Sequence, residues 1–518
     1  MSATIHLAVA AMIVVSGVAL LRSANAAVPA TTQPTPVAAA ANASATPADK
    51  TPGVIAIVVQ DQVALRASPR DSAQQQAVLW QGDALEIRGE RMDYVQVYDH
   101  RRERAGYVRA SQVRRVSLAP ADAPEALAVL RFLRDQSGSE ALGVAYAAAY
   151  LRAVPASQIT AEPFDALGQM ADRLARRASA RQSQDKAADQ RLAAHLEVVA
   201  AYGVEIASFE RQGHMQLCYD GDAFKRVLTM TSTSAQRAHA ALALTRHECV
   251  DPAMSPLDRQ RVDEARAELL DRAMAPDLPE TLKNRLRIRT AGVWAGVAFD
   301  RHRKGGQDAV ATERALQALA GVNKAELSEA DDTAYADAAV RVSASRWATE
   351  PAPADGPATK LAIVTSPGQP GETCVSLIDA KHDASQPLLK RCTFGTVWGA
   401  SASTSPQGNA LAVAVQPLST WRELWVFHRV NNAWVLDALP PGTGEPELGV
   451  VEFAGWVPGS SKLLVAREAR VDGRFRRSYE VLKLDTLTLE NRADKPDALT
   501  AFHRWQDPRW KHVTLSLR

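Results

Sequence analysis

Three patterns of hydrophobic and polar residues follow one another along the chain. Over residues 53–117, apolar and polar residues alternate between Pro and Gly turns, which predicts short β-strands. Over 120–340 the apolar residues recur at helical spacing, and over 345–518 the alternation returns. We therefore expect a multidomain α+β protein. Its parts would be a small β unit, an all-α helical solenoid or bundle, and an antiparallel β domain.

The middle region shows two apolar faces at helical spacing: Leu192, Leu196, Val199 and Ile206, then Val262, Ala265, Leu269 and Ala273. Helix ends are expected where turn-forming residues interrupt the pattern, at Ser137-Gly138, Val154-Pro155, Asp251-Pro252 and Ala275-Pro276. With the short connections that are usual between packed helices, roughly ten helices fit this region. The aromatic signature of tetratricopeptide repeats is absent from the sequence, so an irregular arrangement is expected.

The alternation in the first β unit already identifies a core: Val63, Leu65, Leu79, Leu85, Ile87, Val95, Val97 and Val108. Four sequence blocks, "ALRASP", "QGDALEI", "MDYVQVY" and "AGYV", follow one another in this unit. In order and spacing they resemble the bacterial SH3 (SH3b) domain, over residues 53–117. The resemblance implies a small SH3-like β-barrel.

The SH3b resemblance also implies a groove that recognises peptidoglycan peptides or a protein partner. By position, the aromatic residues of this groove would be Trp80, Tyr94, Tyr98 and Tyr107, because such rings combine an apolar face with a polar tip. Tyr94 and Tyr107 also fall where aromatic residues fill the barrel core. Trp80 and Tyr98 are therefore the better ligand candidates.

An internal repeat in the last region accompanies four tryptophans, Trp347, Trp398, Trp456 and Trp505. Each is followed by a turn and a β run: "ADGPATK" and "LAIVT", "SPQGNA" and "LAVAV", "VPGSSK" and "LLVAR", "DPRWK" and "VTLSL". A second run, "CVSLID", "LWVFH" or "YEVLKLD", completes the first three units. A period of roughly 50 residues with several strands is typical of propeller blades, and the units loosely resemble those of TolB-type propellers.

Three and a half such units are too few for a closed ring, which has at least about four blades. An open blade array is therefore expected. The alternative is a plain antiparallel sheet with buried tryptophans.

The N-terminal residues predict export. The run from Leu7 to Leu21 is apolar apart from two residues, is shorter than the about 20 residues of a membrane span, and precedes a small-x-small cleavage site at Ala24-Asn25-Ala26. We expect a signal peptide at 1–26, although only His6 stands where Lys or Arg is usual. An uncleaved membrane anchor is the alternative. Residues 27–52, rich in Ala, Pro and Thr, predict a flexible linker, and the mature protein would be periplasmic or extracellular in a bacterium.

The net charge of the chain argues against nucleic acid as a partner. A formal net charge of +2 gives no reason to expect nucleic acid. A local basic cluster at Arg101, Arg102 and Arg104 contains Asp99 and Glu103 as well, which indicates a solvated hairpin rim.

Four cysteines, an even number in an exported chain, predict disulfides between Cys218 and Cys249 and between Cys374 and Cys392. A zinc site is the alternative for the first pair. His214 and Cys218 would share a face if their segment were helical, and His247 precedes Cys249 by two residues. This spacing matches no common zinc finger, so the disulfide is preferred and no metal or other cofactor is expected.

Two common catalytic motifs, G-x-S-x-G and H-E-x-x-H, are absent from the sequence. The segment "GVWAGVAFDRHRKGGQDAV", residues 292–310, has glycines and basic residues but not the Walker spacing. We therefore expect a non-enzymatic binding or scaffold protein of the bacterial envelope. The alternative is a cell-wall hydrolase that uses the SH3b-like part for targeting.

Overall fold

The computed structural model describes residues 53–180, 185–211, 213–305, 309–350, 360–442, 447–459, 461–471 and 474–511. The expected signal peptide and linker lie outside these ranges, and so does the run "VTLSL" at 513–517. The described residues belong to one compact unit. None of the helices in the described ranges is long and apolar enough to cross a membrane.

The first part is a seven-stranded antiparallel sheet in the order β3-β2-β6-β5-β4-β1-β7. The core residues that the alternation predicts lie in, or pack against, one apolar cluster on its inner face, so this prediction is confirmed. The strands are β1 Val54–Val58, β2 Val63–Arg66, β3 Gln75–Leu79, β4 Ala84–Arg91, β5 Tyr94–Asp99, β6 Arg104–Arg109 and β7 Val113–Ser117.

This sheet curls around its core but does not close. Strands β3 and β7 are its edges, and no sheet within the described ranges forms a closed barrel, unlike the barrel expected from the sequence. Strand β1 contributes Ala56 and Val58 to the inner core, while Ile57 packs with helical residues such as Tyr146. The outer side of the β1–β7 pair is thus covered by helices. Among the described strands, β7 pairs with β1 alone.

The middle part contains ten helices among its described residues, and all four expected breaks fall between helices. The helices are α1 Ala123–Arg134, α2 Glu140–Ala153, α3 Glu162–Ser179, α4 Lys186–Ala200, α5 Asp222–Thr229, α6 Ser234–Leu244, α7 Pro256–Ala273, α8 Glu280–Arg303, α9 Ala309–Ala320 and α10 Glu329–Ser345. Helices α1–α4 share one apolar cluster, and α6–α10 share another.

The middle part is not all-α. A two-stranded hairpin, β8 Ile206–Arg211 and β9 His214–Tyr219, stands between α4 and α5. The prediction that placed Ile206 on the helix face with Leu192 is therefore wrong, because α4 ends before it at Ala200.

The apolar face that the sequence predicts for α7 is rotated in the structure. Its buried residues are Arg266, Ala267, Leu270 and Ala273, whereas Ala265 is exposed. Arg266 faces inward because its guanidinium donates to the main-chain oxygen of Thr245 and pairs with Asp263.

The last part has a three-stranded sheet, β10-β11-β12, and an eight-stranded sheet. The larger sheet consists of two antiparallel meanders, β13–β16 and β17–β20, joined by a short parallel pairing between β15 and β17. The strands are β10 Ala362–Pro367, β11 Thr373–Ile378, β12 Leu389–Thr393, β13 Thr396–Thr404, β14 Ala410–Leu418, β15 Trp421–Val430, β16 Ala433–Leu439, β17 Leu448–Val457, β18 Lys462–Val471, β19 Arg474–Lys483 and β20 Leu489–Ala493.

These three groups of strands stack on one another. On β14, Leu411 and Val413 pack towards the residues of β10 and β11, while Ala410 and Ala412 pack towards those of β17 and β18. Because successive side chains of a strand point to opposite faces, the middle meander is buried on both sides. A short helix, α11 Thr500–Trp505, covers the far face of the last meander through Phe502.

The tryptophan repeat is only partly reproduced by the strands. Trp398 and Trp456 lie on the first strands of the two meanders, β13 and β17. Trp347 lies in a 3-10 turn and Trp505 in α11, and residues 508–511 are helical. The expected turn of the fourth unit, residues 507–511, is therefore largely helical, and the β run expected after it lies outside the described residues.

Candidate functional site

Trp80 is the first of the sequence-predicted site residues, and it is 8% exposed. It does not belong to the core of its own sheet. Its indole joins the cluster of α1–α4, with Leu130, Ala141 and Val198 among its members. An indole buried in this way offers little surface to a ligand, and its position makes it an anchor between the first sheet and the helices.

The turn around Trp80 is built for this docking. Gly82 has φ +94°, and a Cβ there would stand 2.6 Å from the carbonyl oxygen of Ala141, so the turn needs glycine. Tyr202 donates its hydroxyl proton to the carbonyl of Gly82 at 2.7 Å. Asp83 accepts from the main-chain N–H of Trp80 at 2.9 Å and pairs with Arg102 at 3.2 Å.

The basic cluster of the β5–β6 hairpin takes part in the same contact between the first sheet and the helices. Arg102 bridges the buried carboxylates of Asp83 and Asp99, and Arg101 donates to the main-chain oxygen of Glu197 on α4 at 3.2 Å. The prediction of a solvated rim is therefore wrong for Arg102, which is half-buried, whereas Arg101 and Arg104 are exposed.

The three tyrosines lie together on the outer face of the first sheet. Val95 and Val97 of β5 point into the core, so Tyr94, Gln96 and Tyr98 point the other way. Tyr107 of β6 pairs in register with Gln96 and therefore shares that face. The structure thus brings three of the four predicted aromatic residues together and separates Trp80 from them.

The tyrosines differ in exposure and partners. Tyr94 is buried and donates its hydroxyl proton to Asp71 at 2.6 Å, while Tyr98 and Tyr107 are half-buried. The hydrogen bond from Tyr94 and the guanidinium of Arg109 together lower the pKa of the Asp71 carboxyl. The same hydrogen bond raises the pKa of Tyr94. This corner therefore carries an ionic contact at the surface of the sheet.

The half-buried ring of Tyr98 has a charged and an aromatic neighbour. The Arg88 guanidinium lies 4.0 Å from its centroid, and His100 packs against it edge to face at 4.9 Å. Glu86 accepts from both neighbours, and those hydrogen bonds lower the pKa of its carboxyl. All these side chains are at the surface, so water or a ligand can compete for them.

The cysteines lie at disulfide distance in both expected pairs, Cys218 with Cys249 and Cys374 with Cys392. The first joins β9 to the 3-10 turn His247–Cys249, and the second links directly opposite residues of β11 and β12. The segment that contains His214 is a strand, and His214 is exposed there. Within the described ranges, the one group with metal-ligand spacing is Glu372, Cys374 and Cys392, whose sulfurs are bonded to each other.

A large charged cavity that none of the sequence patterns predicts lies between the helices and the last β part. Its volume is about 1010 Å³. We call it the arginine cavity, after the guanidiniums in its wall. These come from Arg211 on β8, Arg259 on α7, Arg289 and Arg303 on α8, Arg341 on α10, and Arg470 on β18.

His247 lies in the wall of this cavity on a short 3-10 turn. Its Nδ1 is 3.1 Å from a guanidinium nitrogen of Arg266, and a guanidinium can only donate, so Nδ1 accepts and Nε2 carries the proton. Burial lowers the pKa of His247 well below its usual value, and the positive charges of Arg341, Arg266 and Arg289 lower it further. The imidazole is therefore neutral and presents an N–H donor.

A second cavity, of about 610 Å³, lies beside the 3-10 turn Arg346–Thr349. Its buried charges are mutually compensated. Arg422 contacts Glu452 at 3.1 Å, and Trp510 donates to the other oxygen of Glu452 at 2.9 Å. Arg422 also donates to the main-chain oxygen of Ser343. This network connects α10 with β15 and β17, and we infer that its role is to stabilise the fold.

Comparison with known proteins gives no match: no family model matches the chain, and no curated protein and no solved structure matches it.

Proposed function

We propose that the chain is a non-enzymatic binding protein of the bacterial envelope, and that the outer face of its first sheet recognises an extended peptide. The observation that carries the proposal is the grouping of Tyr94, Tyr98 and Tyr107 on that face, opposite the core. We take residues 53–117 as an SH3b-like domain. In support, the four matching sequence blocks lie on or beside β2, β4, β5 and β6.

The charges on this face favour a peptide that carries both an amine and carboxylates, such as a peptidoglycan stem peptide. Arg88 and Glu86 flank Tyr98, and Arg109 and Asp71 flank Tyr94. Exposed ion pairs contribute little to stability, about 0–1 kcal/mol, so a charged ligand can replace one partner at small cost. The half-buried ring of Tyr98 then supplies an apolar surface between the two charged groups.

The remaining parts support a role in recognition. The three stacked groups of strands, two of them four-stranded meanders, are the arrangement expected of an open array of propeller blades. The two cysteine pairs at disulfide distance fit an oxidising compartment, in agreement with export.

The test is a calorimetric titration of soluble peptidoglycan stem peptides into the mature chain, its Tyr98→Ala and Tyr107→Ala variants, and a Trp505→Ala control. Trp505 is an exposed aromatic residue of α11, outside the tyrosine face. We expect binding to the parent chain and the control, and at least about tenfold weaker binding to the tyrosine variants. Binding that is absent, or equal in all four proteins, would reject the proposed function.

A further inference from the structure

We propose that the arginine cavity binds a small organic phosphate, whose phosphoryl group is held by Arg289, Arg341 and the N–H of His247. The proposal is independent of the tyrosine face and of the peptide-binding function. It rests on the charge balance of the cavity wall, on the hydrogen bonds that its guanidiniums do not make, and on its size.

The first argument is charge balance. Among the acidic residues of the wall, Glu248 pairs with Arg246 at 2.8 Å, and Asp337 and Glu447 both pair with Arg470. Five other arginines of the wall have no ion pair with any carboxylate in the described part of the chain: Arg211, Arg259, Arg289, Arg303 and Arg341. Among its described residues, the wall has only two further carboxylates, Glu210 and Asp300, to set against them. Positive charges therefore outnumber negative ones among these unpaired groups. Cations placed below the surface without a counter-charge are costly, and a bound anion would supply that charge.

The second argument is the state of Arg341. Its guanidinium makes no hydrogen bond to the described residues, and its Nε is buried without a partner. Burial and the nearby Arg266 and Arg470 lower the pKa of Arg341, against the effect of Asp337. Buried polar groups are normally satisfied, so a guanidinium left open towards a cavity indicates a missing acceptor.

The guanidinium of Arg289 also makes few hydrogen bonds. Its one hydrogen bond to the described residues is a long one, 3.4 Å, to the main-chain oxygen of Leu242. Burial lowers the pKa of Arg289 to about 10, although Glu248 acts in the opposite direction. The group remains charged at neutral pH and keeps donors available for a ligand.

Gly292 brings these donors together. A Cβ at this position of α8 would stand 2.8 Å from Nε2 of His247 and 3.5 Å from Cδ of Arg341. Arg289 lies one helical turn before Gly292 on the same helix, so it faces the same side. Two guanidiniums and one neutral imidazole N–H thus converge where a larger side chain would not fit.

The number of charges favours phosphate over a single carboxylate. A carboxylate brings one negative charge and two acceptor oxygens, whereas a phosphoryl group brings about −1.5 to −2 and three oxygens. Paired guanidiniums match the oxygens of phosphate in geometry. This anion site does not use a glycine-rich loop, which agrees with the absence of Walker spacing in 292–310.

The size of the cavity favours an organic ligand. At about 1010 Å³ it is far larger than inorganic phosphate needs, and it lies at the upper end of ordinary ligand cavities, about 300–1,000 Å³. Met254, Ile288 and Phe299 supply apolar wall beside the charged residues. An organic group of the ligand would lie against them.

The test is the thermal stability of the mature chain in phosphate-free buffer, with inorganic phosphate, glucose 6-phosphate, glucose or citrate added. We expect glucose 6-phosphate and phosphate to raise Tm, the former more, and glucose to leave it unchanged. An equal or larger effect of citrate would overturn the choice of phosphate over carboxylates. No effect of either phosphate would overturn the site itself.

Three variants separate binding from folding. Arg341→Met removes an uncompensated charge while keeping an aliphatic side chain, so Tm without ligand should stay or rise while the affinity for glucose 6-phosphate falls about 10- to 150-fold. Asp300→Asn removes a negative charge from the wall and should tighten binding. Arg261→Met is the control, because Arg261 is exposed on α7 and pairs with Asp258. Unchanged affinity in R341M, or a large fall of its ligand-free Tm, would contradict the proposal.

Discussion

Trp80 shows how one side chain can change its role when distant parts of the chain fold together. It stands directly after β3, where a ligand-binding aromatic residue was expected, yet helices from beyond residue 123 cover it. We predict that Trp80→Ala lowers the free energy of unfolding by about 3–5 kcal/mol, because it leaves a large cavity between the sheet and α2. Chemical denaturation of the mature chain measures this.

Tyr98→Ala is the matched control for that substitution. Tyr98 is half-exposed and belongs to none of the apolar clusters, so its loss should cost less than about 1 kcal/mol. Equal destabilisation by the two substitutions would show that Trp80 is not the anchor.

Asp300, in the wall of the arginine cavity, gives the protein a specific pH dependence. Burial and the neighbouring Asp263 raise its pKa from 3.8 to about 6, against the effect of Arg259 and Arg303. Between about pH 4 and pH 6 the folded state therefore keeps a proton that the unfolded state has released, so this group lowers stability as the pH rises.

We predict that Asp300→Asn removes this contribution. The variant and the parent chain should have similar Tm values below about pH 4, and the variant should be the more stable above about pH 6, in phosphate-free buffer. A difference in Tm that does not change with pH would show that Asp300 titrates normally.

Patterns along the sequence predicted single residues well where burial follows from local alternation, as for Val95 and Val97. They failed where a polar residue faces inward. Arg266 lies on the buried side of α7 because Thr245 and Asp263 satisfy its guanidinium, and apolar periodicity assigns such a residue to the surface. Glycines and charged residues at helical spacing on α8, such as Gly292, Gly296 and Asp300, were the signal that could have indicated the cavity.

Among the elements, the β8–β9 hairpin was missed for a related reason. Its strands are short and only partly buried, with no long alternation, and they follow α4 after a brief turn. The helix breaks, in contrast, were predicted correctly because Pro and Gly act through the local backbone. The first cysteine pair links this hairpin to the turn that holds His247.

We predict that the double substitution Cys218→Ala, Cys249→Ala costs about 3–4 kcal/mol of stability, since it opens a loop with a sequence separation of 31. Because the bond holds the turn that carries His247, a proposed phosphoryl ligand, the variant should also lose most of the stabilisation by glucose 6-phosphate. Thermal denaturation with and without this ligand measures both effects.

Removal of the second cysteine pair is the control for removal of the first. Cys374→Ala with Cys392→Ala opens a shorter loop, with a separation of 18, between two strands already paired in β11–β12. It should cost about 3 kcal/mol but leave the ligand effect intact. Equal loss of the ligand effect in both variants would show that the Cys218–Cys249 bond has no specific role in ligand binding at the arginine cavity.

At the scale of the whole molecule, the three sequence patterns do not correspond to independent domains. The first sheet shares Trp80 and Ile57 with helical clusters, and α10 shares Val340 with the strand β17. Local patterns predicted each part but not these contacts, because each of them joins residues far apart in sequence. The arginine cavity exists only where the helices, the hairpin and the last β part meet.

The docking of the first sheet makes a final prediction that a fragment can test. Trp80 is the sole tryptophan within residues 53–117, so its fluorescence reports on that segment alone. In a fragment of residues 53–117 the indole loses its helical cover, and its emission should shift to longer wavelength and be readily quenched by acrylamide. A fragment of residues 53–205 retains α1–α4 and should emit at shorter wavelength with weak quenching, because Leu130, Ala141 and Val198 again enclose the ring. Identical spectra from the two fragments would mean that the first sheet buries Trp80 by itself, and the indole would then have no part in joining the sheet to the helices.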